Sequence, residues 1–348
     1  MSYKVVQADL MADKARMLAF WSEHHPKPLE RKFQWMYENN PCGRTRAWLL
    51  LHGDTDQLVG MGAMFPRQFV ADGQCYEAGV LGDLLVHKAH RSLGPALQLQ
   101  KTILQLLSDG EVALLYGLPN RASEFVFQRI GYQRLGTMRR LVKVICSKTL
   151  LGRIKLPSFV QGLIAPVLDV ALFLTARETW RSTKRYAIHE DYSVFDERFD
   201  ALWRSKEAGV HCALRRSAAY MTWKFRDDPD DVNHVFALCA EDDTRLLGCI
   251  IYAVNGRTVE IREFIAADEA ADDLMTLFLK KVRAAKPVSV VVNTLDDSVV
   301  LRSLKRFRFW AGAAGRSVYY GTGSQLKDRA AEIAQTDRWL LMKCDEDT

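Results

Sequence analysis

One spacing organises this chain: 188 residues separate two copies of a single pattern. Residues 33–41 read Phe-Gln-Trp-Met-Tyr-Glu-Asn-Asn-Pro, and residues 221–229 read Met-Thr-Trp-Lys-Phe-Arg-Asp-Asp-Pro. Trp35 thus falls on Trp223, Tyr37 on Phe225 and Pro41 on Pro229, and the same spacing lays Leu58 and Gly60 on Leu246 and Gly248. Each copy reads as a helix, a proline-stopped turn, a strand (47–52; 235–239), a polar hairpin and a second strand (58–65; 246–254). Further on the spacing falls to about 177, where 112–116, Leu118 and 125–132 resemble 288–292, Leu295 and 301–309. Repetition on this scale constrains the fold before any local propensity does. It predicts two similar α/β domains, 1–147 and 188–348, which a length of 348 residues accommodates.

The stretch between them, 148–187, is apolar and basic, and its Pro157 and Pro166 predict two short helices rather than one long one. Two readings suit it. It packs in the seam between the domains, toward which Asp169 and Gln161 inside the apolar run weigh, or 156–176 rests on a membrane surface or a lipid-bearing substrate. Charge is uneven: residues 1–150 carry a net +6, 151–187 a net +4 and 188–348 a net −4, so an anionic ligand suits the first part best. The overall +6 is too mild to argue for nucleic acid. Seven cysteines form no CxxC pair and none sits at zinc-ligand spacing to a histidine pair, which predicts reduced structural thiols, no metal and a cytoplasmic protein. Asp9 and Asp13 stand where a signal peptide needs an apolar core, and no apolar run reaches the roughly 18 residues of a spanning helix.

The segment 77–107 is the most informative. It reads as a strand ending near Val86, then a turn, then a helix whose Leu97, Leu99, Ile103, Leu104 and Leu107 share a face. The turn is Arg91-Ser92-Leu93-Gly94-Pro95-Ala96. Gly94 widens the backbone's choices and lets a ligand approach, Pro95 suits a first helical turn, and Ala96 keeps the backbone accessible. Free amides at a helix start suit a pyrophosphate, and Arg91 adds a cationic fork.

Arg91-x-x-Gly94-x-Ala96, with Val86 five residues ahead, resembles the acyl-CoA signature of the GNAT acetyltransferase superfamily. The strand 112–116, then Asn120, Ser123, Phe127 and the pair Gly131-Tyr132, is similar to that superfamily too. The resemblance covers about 1–140, and the second copy extends it to about 344. It implies, for each domain, a mixed and mostly antiparallel sheet flanked by helices, with two adjacent parallel strands splayed into a V. Acetyl-CoA, or another acyl-CoA, would lie in that gap. Its pantetheine would meet Leu84, Leu85 and Val86, its pyrophosphate the amides of Ser92, Leu93, Gly94, Pro95 and Ala96, and its arm Asn120, with Ser123 and Phe127 alongside.

An amine would then attack the thioester directly. The base expected is Asp83, with Glu77 second; His87 and His90 cap or solvate the turn, and His24 and His25 fall where an acceptor pocket forms. Phe127 replaces the tyrosine that often serves as general acid, so Tyr116 or Tyr132 substitutes or the thiolate leaves through solvent. Lys88 replaces a common proline. The second copy has no glycine turn, and Asp268, Glu269, Asp272 and Asp273 crowd its helix start, which predicts no CoA there. The segment 339–344 would be its last strand. The expected activity is N-acyl transfer to a small-molecule or sugar amine. The alternatives are a longer CoA- or carrier-bound acyl donor directed toward 156–176, and a non-catalytic ligand-binding or assembly module.

Overall fold

The two tryptophans of the repeat meet face to face. In the computed structural model, which describes residues 2–24, 30–147, 151, 157–207 and 209–346, the rings of Trp35 and Trp223 stack with centroids 4.9 Å apart. Each indole N–H donates to the other's carbonyl: Trp35 Nε1 to Trp223 O at 2.7 Å and Trp223 Nε1 to Trp35 O at 2.8 Å. Both sit in a wide helical turn, 34–38 after helix α2 (Glu30–Phe33) and 222–226 after α8 (Ala218–Met221). The 188-residue spacing is therefore the imprint of a pseudo-twofold contact in which each copy supplies the other's partner.

The first half runs β1 (Tyr3–Gln7), α1 (Lys14–Ser22), α2, β2 (Arg46–His52), β3 (Leu58–Ala71), β4 (Gln74–Val86), α3 (Leu93–Ser108), β5 (Leu114–Gly117), α4 (Arg121–Ile130) and β6 (Gln133–Val144). After α5 (Ser158–Leu174) and α6 (Arg177–Trp180), the second half repeats it. Its elements are β7 (Ala187–His189), α7 (Glu197–Glu207), β8 (Cys212–Leu214), α8, β9 (His234–Cys239), β10 (Leu246–Asn255), β11 (Thr258–Ala266), α9 (Ala271–Ala284), β12 (Ser289–Leu295), α10 (Val299–Lys305), β13 (Trp310–Thr322) and β14 (Trp339–Leu340). All seven cysteines are free thiols.

Each half is a mixed α/β layer, mostly antiparallel, with a corresponding parallel pair, β4 with β5 and β11 with β12, and the second half adds the short parallel pair β8 with β14. The halves share one sheet, in the order β1-β2-β3-β4-β5-β13-β6-β12-β11-β10-β9-β7. They exchange the strands that follow α4 and α10, β6 and β13. β5 takes β13 as its neighbour (Tyr116 opposite Tyr320), β12 takes β6 (Val292 opposite Leu141), and β6 and β13 pair with each other. The exchange leaves β5 and β12 no open edge to attract another chain.

Residues 158–174 form one helix, α5, running through Pro166, not two. A helical proline forfeits one bond, here to the carbonyl of Gly162. Gly162 and Pro166 are both exposed, so water satisfies that carbonyl, and Gly162 has no side chain to crowd the ring. Nor does α5 fill a seam between two separate sheets, since the sheet is continuous. It lies over the end of β6, where the Asp169 carboxylate accepts the Ser147 amide at 2.5 Å.

Candidate active site

β4 and β5 run side by side only from Ala78 opposite Leu114 to Val80 opposite Tyr116. β5 stops at Gly117, whereas β4 continues for 81–86 bonded to β3 alone among the described strands. A bulge turns this edge outward: Ala63 pairs with Gly82 and Met61 with Leu85, so β4 carries one residue more than β3. Asp83 sits in the bulge at φ +50°, a left-handed conformation costly for a residue with a side chain. Leu84, Leu85 and Val86 are half-buried and line the open edge.

Beyond Val86 the chain tightens into a turn at 88–90, capped by the His87 ring, which accepts the Ala89 amide at 3.3 Å. The His90 ring bonds the Tyr3 hydroxyl at 3.1 Å. Arg91 folds back, Nε donating to the Val86 carbonyl at 3.1 Å, which holds its guanidinium at the mouth of the splay. Ser92 is extended and its side chain bonds none of the first-turn amides of α3. Ser92, Leu93 and Gly94 are exposed, Pro95 is buried and lacks an N–H, and Ala96 is half-buried. A Cβ placed on Gly94 would meet nothing within 4 Å. The φ of Gly94 is not left-handed, so the glycine keeps space open rather than permitting a special backbone. Amides without a side-chain cap, a helix dipole and the Lys88 and Arg91 cations, neither ion-paired among the described residues, are features that suit an anion.

Asp83 does not stand alone. The Tyr37 hydroxyl donates to its Oδ2 at 2.6 Å. Tyr37 is held by stacking on Phe33 (4.5 Å) and by edge contacts with Trp21 (5.6 Å) and Phe65 (5.2 Å). Burial, and then the charge and bond of Asp83, push the Tyr37 phenol well above its ordinary value, so it stays a proton donor to the carboxylate. Sequence reasoning missed Tyr37. The signal was the repeat, whose second copy has Phe225 there and no hydroxyl. Glu77 is elsewhere: six residues earlier on β4, exposed beside Arg44 and Arg46, it lies about 20 Å from Asp83 at strand rise. His24 Nδ1 bonds the Phe20 carbonyl at 2.9 Å at the end of α1, and His25 lies outside the described residues.

On the β5 side, Asn120 caps α4, its Oδ1 accepting the amides of Ala122 and Ser123 at 3.0 Å each. Ser123 is half-buried in the first turn. The Phe127 ring is buried against Gly117, where a Cβ would come within 3.0 Å of it, and 4.9 Å from the Tyr132 ring. Tyr116 is buried and donates to the Asp345 carbonyl at 2.7 Å. The Tyr132 hydroxyl is buried with no hydrogen-bond partner among the described residues. Burial pushes both phenols up, which weakens them as proton donors. Tyr319, on the exchanged strand β13, also reaches this domain: it donates to Glu124 at 3.0 Å and accepts from Gln128 at 2.8 Å, both on α4. Nothing local in the sequence signals it.

The second domain has the same splay with different contents. β11 and β12 pair from Thr258 opposite Ser289 to Ile261 opposite Val292 and then diverge. The chain's own 341–342 enter the gap: the Leu341 carbonyl accepts from the Leu295 amide (3.3 Å) and the Thr294 hydroxyl (3.0 Å), and Met342 bridges Thr294. Both are fully buried. The segment 339–344 is thus not the outer strand expected. Only Trp339–Leu340 is a strand, and it pairs with β8, because β13 has crossed to β5. Glu263 stands three residues before Ala266, as Asp83 does before Val86. It is fully buried, accepting from Arg216 Nε at 2.8 Å and Cys344 Sγ at 2.6 Å. At the start of α9, Asp272 pairs with Arg177 (2.7 Å), and Asp273 accepts from Arg181 (2.9 Å) and Tyr186 (2.8 Å).

Comparison with known proteins agrees with this geometry. Models of the acetyltransferase (GNAT) domain match residues 11–135 and again 212–316. No curated protein sequence matches the chain. Solved structures do. A GCN5-related N-acetyltransferase from Anabaena variabilis is similar over 92% of this chain and 72% of its own, with TM-score 0.67 and 13% identity. Eis1 from Mycobacterium abscessus covers 96% and 76%, with TM-score 0.60 and 13% identity. Saccharomyces cerevisiae N-myristoyltransferase with bound myristoyl-CoA covers 92% and 79%, with TM-score 0.55 and 14% identity. At such identities the likeness is one of fold. The fold is that of the acyltransferases that take an acyl-CoA. The chain belongs to the GNAT superfamily and carries two of its domains in tandem.

Proposed function

We propose that the protein is an acyl-CoA-dependent N-acyltransferase, using acetyl-CoA, with one working site in the first domain and a small amine or amino sugar as acceptor. The observation that carries this reading is the asymmetry of the two splays. One ends in an open strand edge and an uncapped, glycine-bearing helix start, and the other is filled by 341–342 and closed by paired aspartates. The seven free thiols favour a cytoplasmic setting.

The residues divide the work by chemistry. The backbone of Leu84, Leu85 and Val86 offers strand-type bonds to the pantetheine amides. The amides of Leu93 and Gly94, with Arg91, hold the diphosphate, and Asn120 and Ser123 flank the arm against Phe127. Asp83, aimed by Tyr37, takes the proton from the acceptor ammonium. The amine nitrogen then bonds to the thioester carbonyl carbon, an amide N–H of the β4 edge steadies the oxyanion, the nitrogen gives its second proton to water, and the C–S bond breaks as the carbonyl re-forms. The sulfur leaves as a thiolate and is protonated by solvent, since an ordinary thiol has a pKa of about 8.5 and needs little acid assistance. Tyr116 and Tyr132 point their hydroxyls inward and stay structural in this scheme. This reading takes acetyl-CoA as the donor and gives the apolar helix α5 no part in binding it; α5 lies near the end of β6, beyond Val144.

Calorimetric titration with acetyl-CoA tests the proposal, followed by mass detection of acyl transfer from labelled acetyl-CoA to a panel of amines. One molecule bound per chain and an acylated amine are expected. No binding overturns it in favour of a non-catalytic module, and two molecules per chain would mean the second splay opens.

A further inference from the structure

Helix α5 is inside out. Phe159, Leu163, Val167, Val170 and Leu174 recur at the spacings of one helical face, within an arc of about 80° at 3.6 residues per turn. Each is at least half exposed, with Phe159 at 71%, Leu163 at 74% and Val167 at 70%. The polar residues Gln161 and Asp169 fall away from this face, and Asp169 faces the protein, bonded to Ser147. A surface helix in water shows the reverse arrangement. No helix among the described residues is long and apolar enough to cross a membrane, and α5, at about 25 Å, is shorter than a bilayer's hydrocarbon core.

Behind the stripe, on the body side of α5, the surface is cationic. A cleft of about 790 Å³ between α5 and the body of the protein is lined by Ala165, Asp169 and Phe173 and by Arg257, Lys280, Arg283 and Lys286. Arg283 pairs with Glu178. Arg257, Lys280 and Lys286 are exposed and none has a carboxylate partner among the described residues. Arg257 and Lys280 donate to backbone carbonyls of Lys286 and Arg181, which leaves their charges uncompensated. Such a pairing, an outward apolar stripe with unpaired cations behind it on the polar side of the helix, fits acyl chains under a layer of phosphates.

We propose that α5 seats the protein on an anionic phospholipid bilayer, its Phe159-to-Leu174 stripe among the acyl chains and the Arg257, Lys280 and Lys286 cluster against lipid phosphates. The complementarity of charge selects the occupant: a layer of lipid phosphates supplies counter-charge to these cations, which a second copy carrying the same cations does not. The surface is separate from the acyl-CoA splay and does not rest on the proposed catalysis.

The test is co-sedimentation of the full chain with phosphatidylcholine vesicles and with vesicles of seven parts phosphatidylcholine to three parts phosphatidylglycerol. The anionic vesicles should carry down at least tenfold more protein, and raising salt should release it. Leu163→Asp combined with Val167→Asp removes sedimentation, and Lys280→Glu combined with Lys286→Glu removes the preference for anionic lipid. These side chains are exposed, so the melting temperature and the acetyl-CoA titration should stay at wild-type values. The proposal is overturned if the wild type stays in solution with anionic vesicles, or if Leu163→Asp, Val167→Asp sediments like wild type. It is equally overturned if light scattering shows a dimer that this variant converts to monomer, since a second copy would then cover the stripe.

Discussion

Replacing Gly94 by aspartate should move stability and binding in opposite directions, which no general damage to the fold would do. The new Cβ meets nothing within 4 Å, so the substitution displaces no neighbour. Removing a glycine from the first turn of α3 favours the helix by up to about 0.5–1 kcal/mol, and a carboxylate there complements the dipole by about 0.3–1 kcal/mol. For a 348-residue chain, with roughly 2.1 cal/mol/K of unfolding entropy per residue, 1–2 kcal/mol raises the melting temperature by about 1–3 °C. The same carboxylate would sit where a diphosphate must lie. Two unit charges about 5 Å apart repel by roughly 0.8 kcal/mol in water and 3.3 kcal/mol at an effective dielectric of 20, and a diphosphate carries more than one charge. Acetyl-CoA affinity should fall by roughly 10- to 100-fold, with Gly94→Ala intermediate. Differential scanning calorimetry and isothermal titration on the same preparations give both numbers. Unchanged affinity in Gly94→Asp would refute the placement of the diphosphate, and a melting temperature several degrees lower would refute the claim that the space above Gly94 is open.

Three further outcomes follow from named contacts. Asp83→Asn keeps a residue that tolerates left-handed φ, so acetyl-CoA affinity should hold while kcat falls by about 100-fold or more and the acidic limb of the pH–rate profile disappears; a profile like wild type would remove Asp83 from the role of base. Trp35→Phe keeps the ring stack but strands the buried Trp223 carbonyl, at about 1–3 kcal/mol in urea unfolding, and Trp223→Phe should cost the same by pseudo-symmetry; no loss in either would mean that the reciprocal bonds contribute nothing. Burial raises Asp273, but the bonds from Tyr186, Arg181 and the Lys184 amide outweigh it and hold its carboxyl below the ordinary 3.8. Its folded value is thus the lower one, so its stabilisation is complete above the unfolded value and disappears as pH falls through 3.8 toward the folded value. Asp273→Asn should lose roughly 2 kcal/mol at pH 7 and show a flatter acid dependence; parallel acid curves for the two proteins would refute it.

Much of this molecule is written locally. The strand–turn–helix from Val86 to Ala96, the amphipathic α3 and the Trp35/Trp223 repeat are legible because each depends on neighbours a few residues away or on repetition itself. Pro166 misled for the same reason: the rule that proline breaks a helix is local, and whether water can satisfy the freed carbonyl is not. The partners of a strand edge and the outward face of a helix are long-range outcomes, decided by which surfaces exclude water together. So the tertiary structure alone decided that β6 and β13 change places and that Tyr37 steadies Asp83 across 46 residues. It alone showed that 341–342 fill one splay and leave the other open, and that the stripe of α5 faces outward rather than into the core.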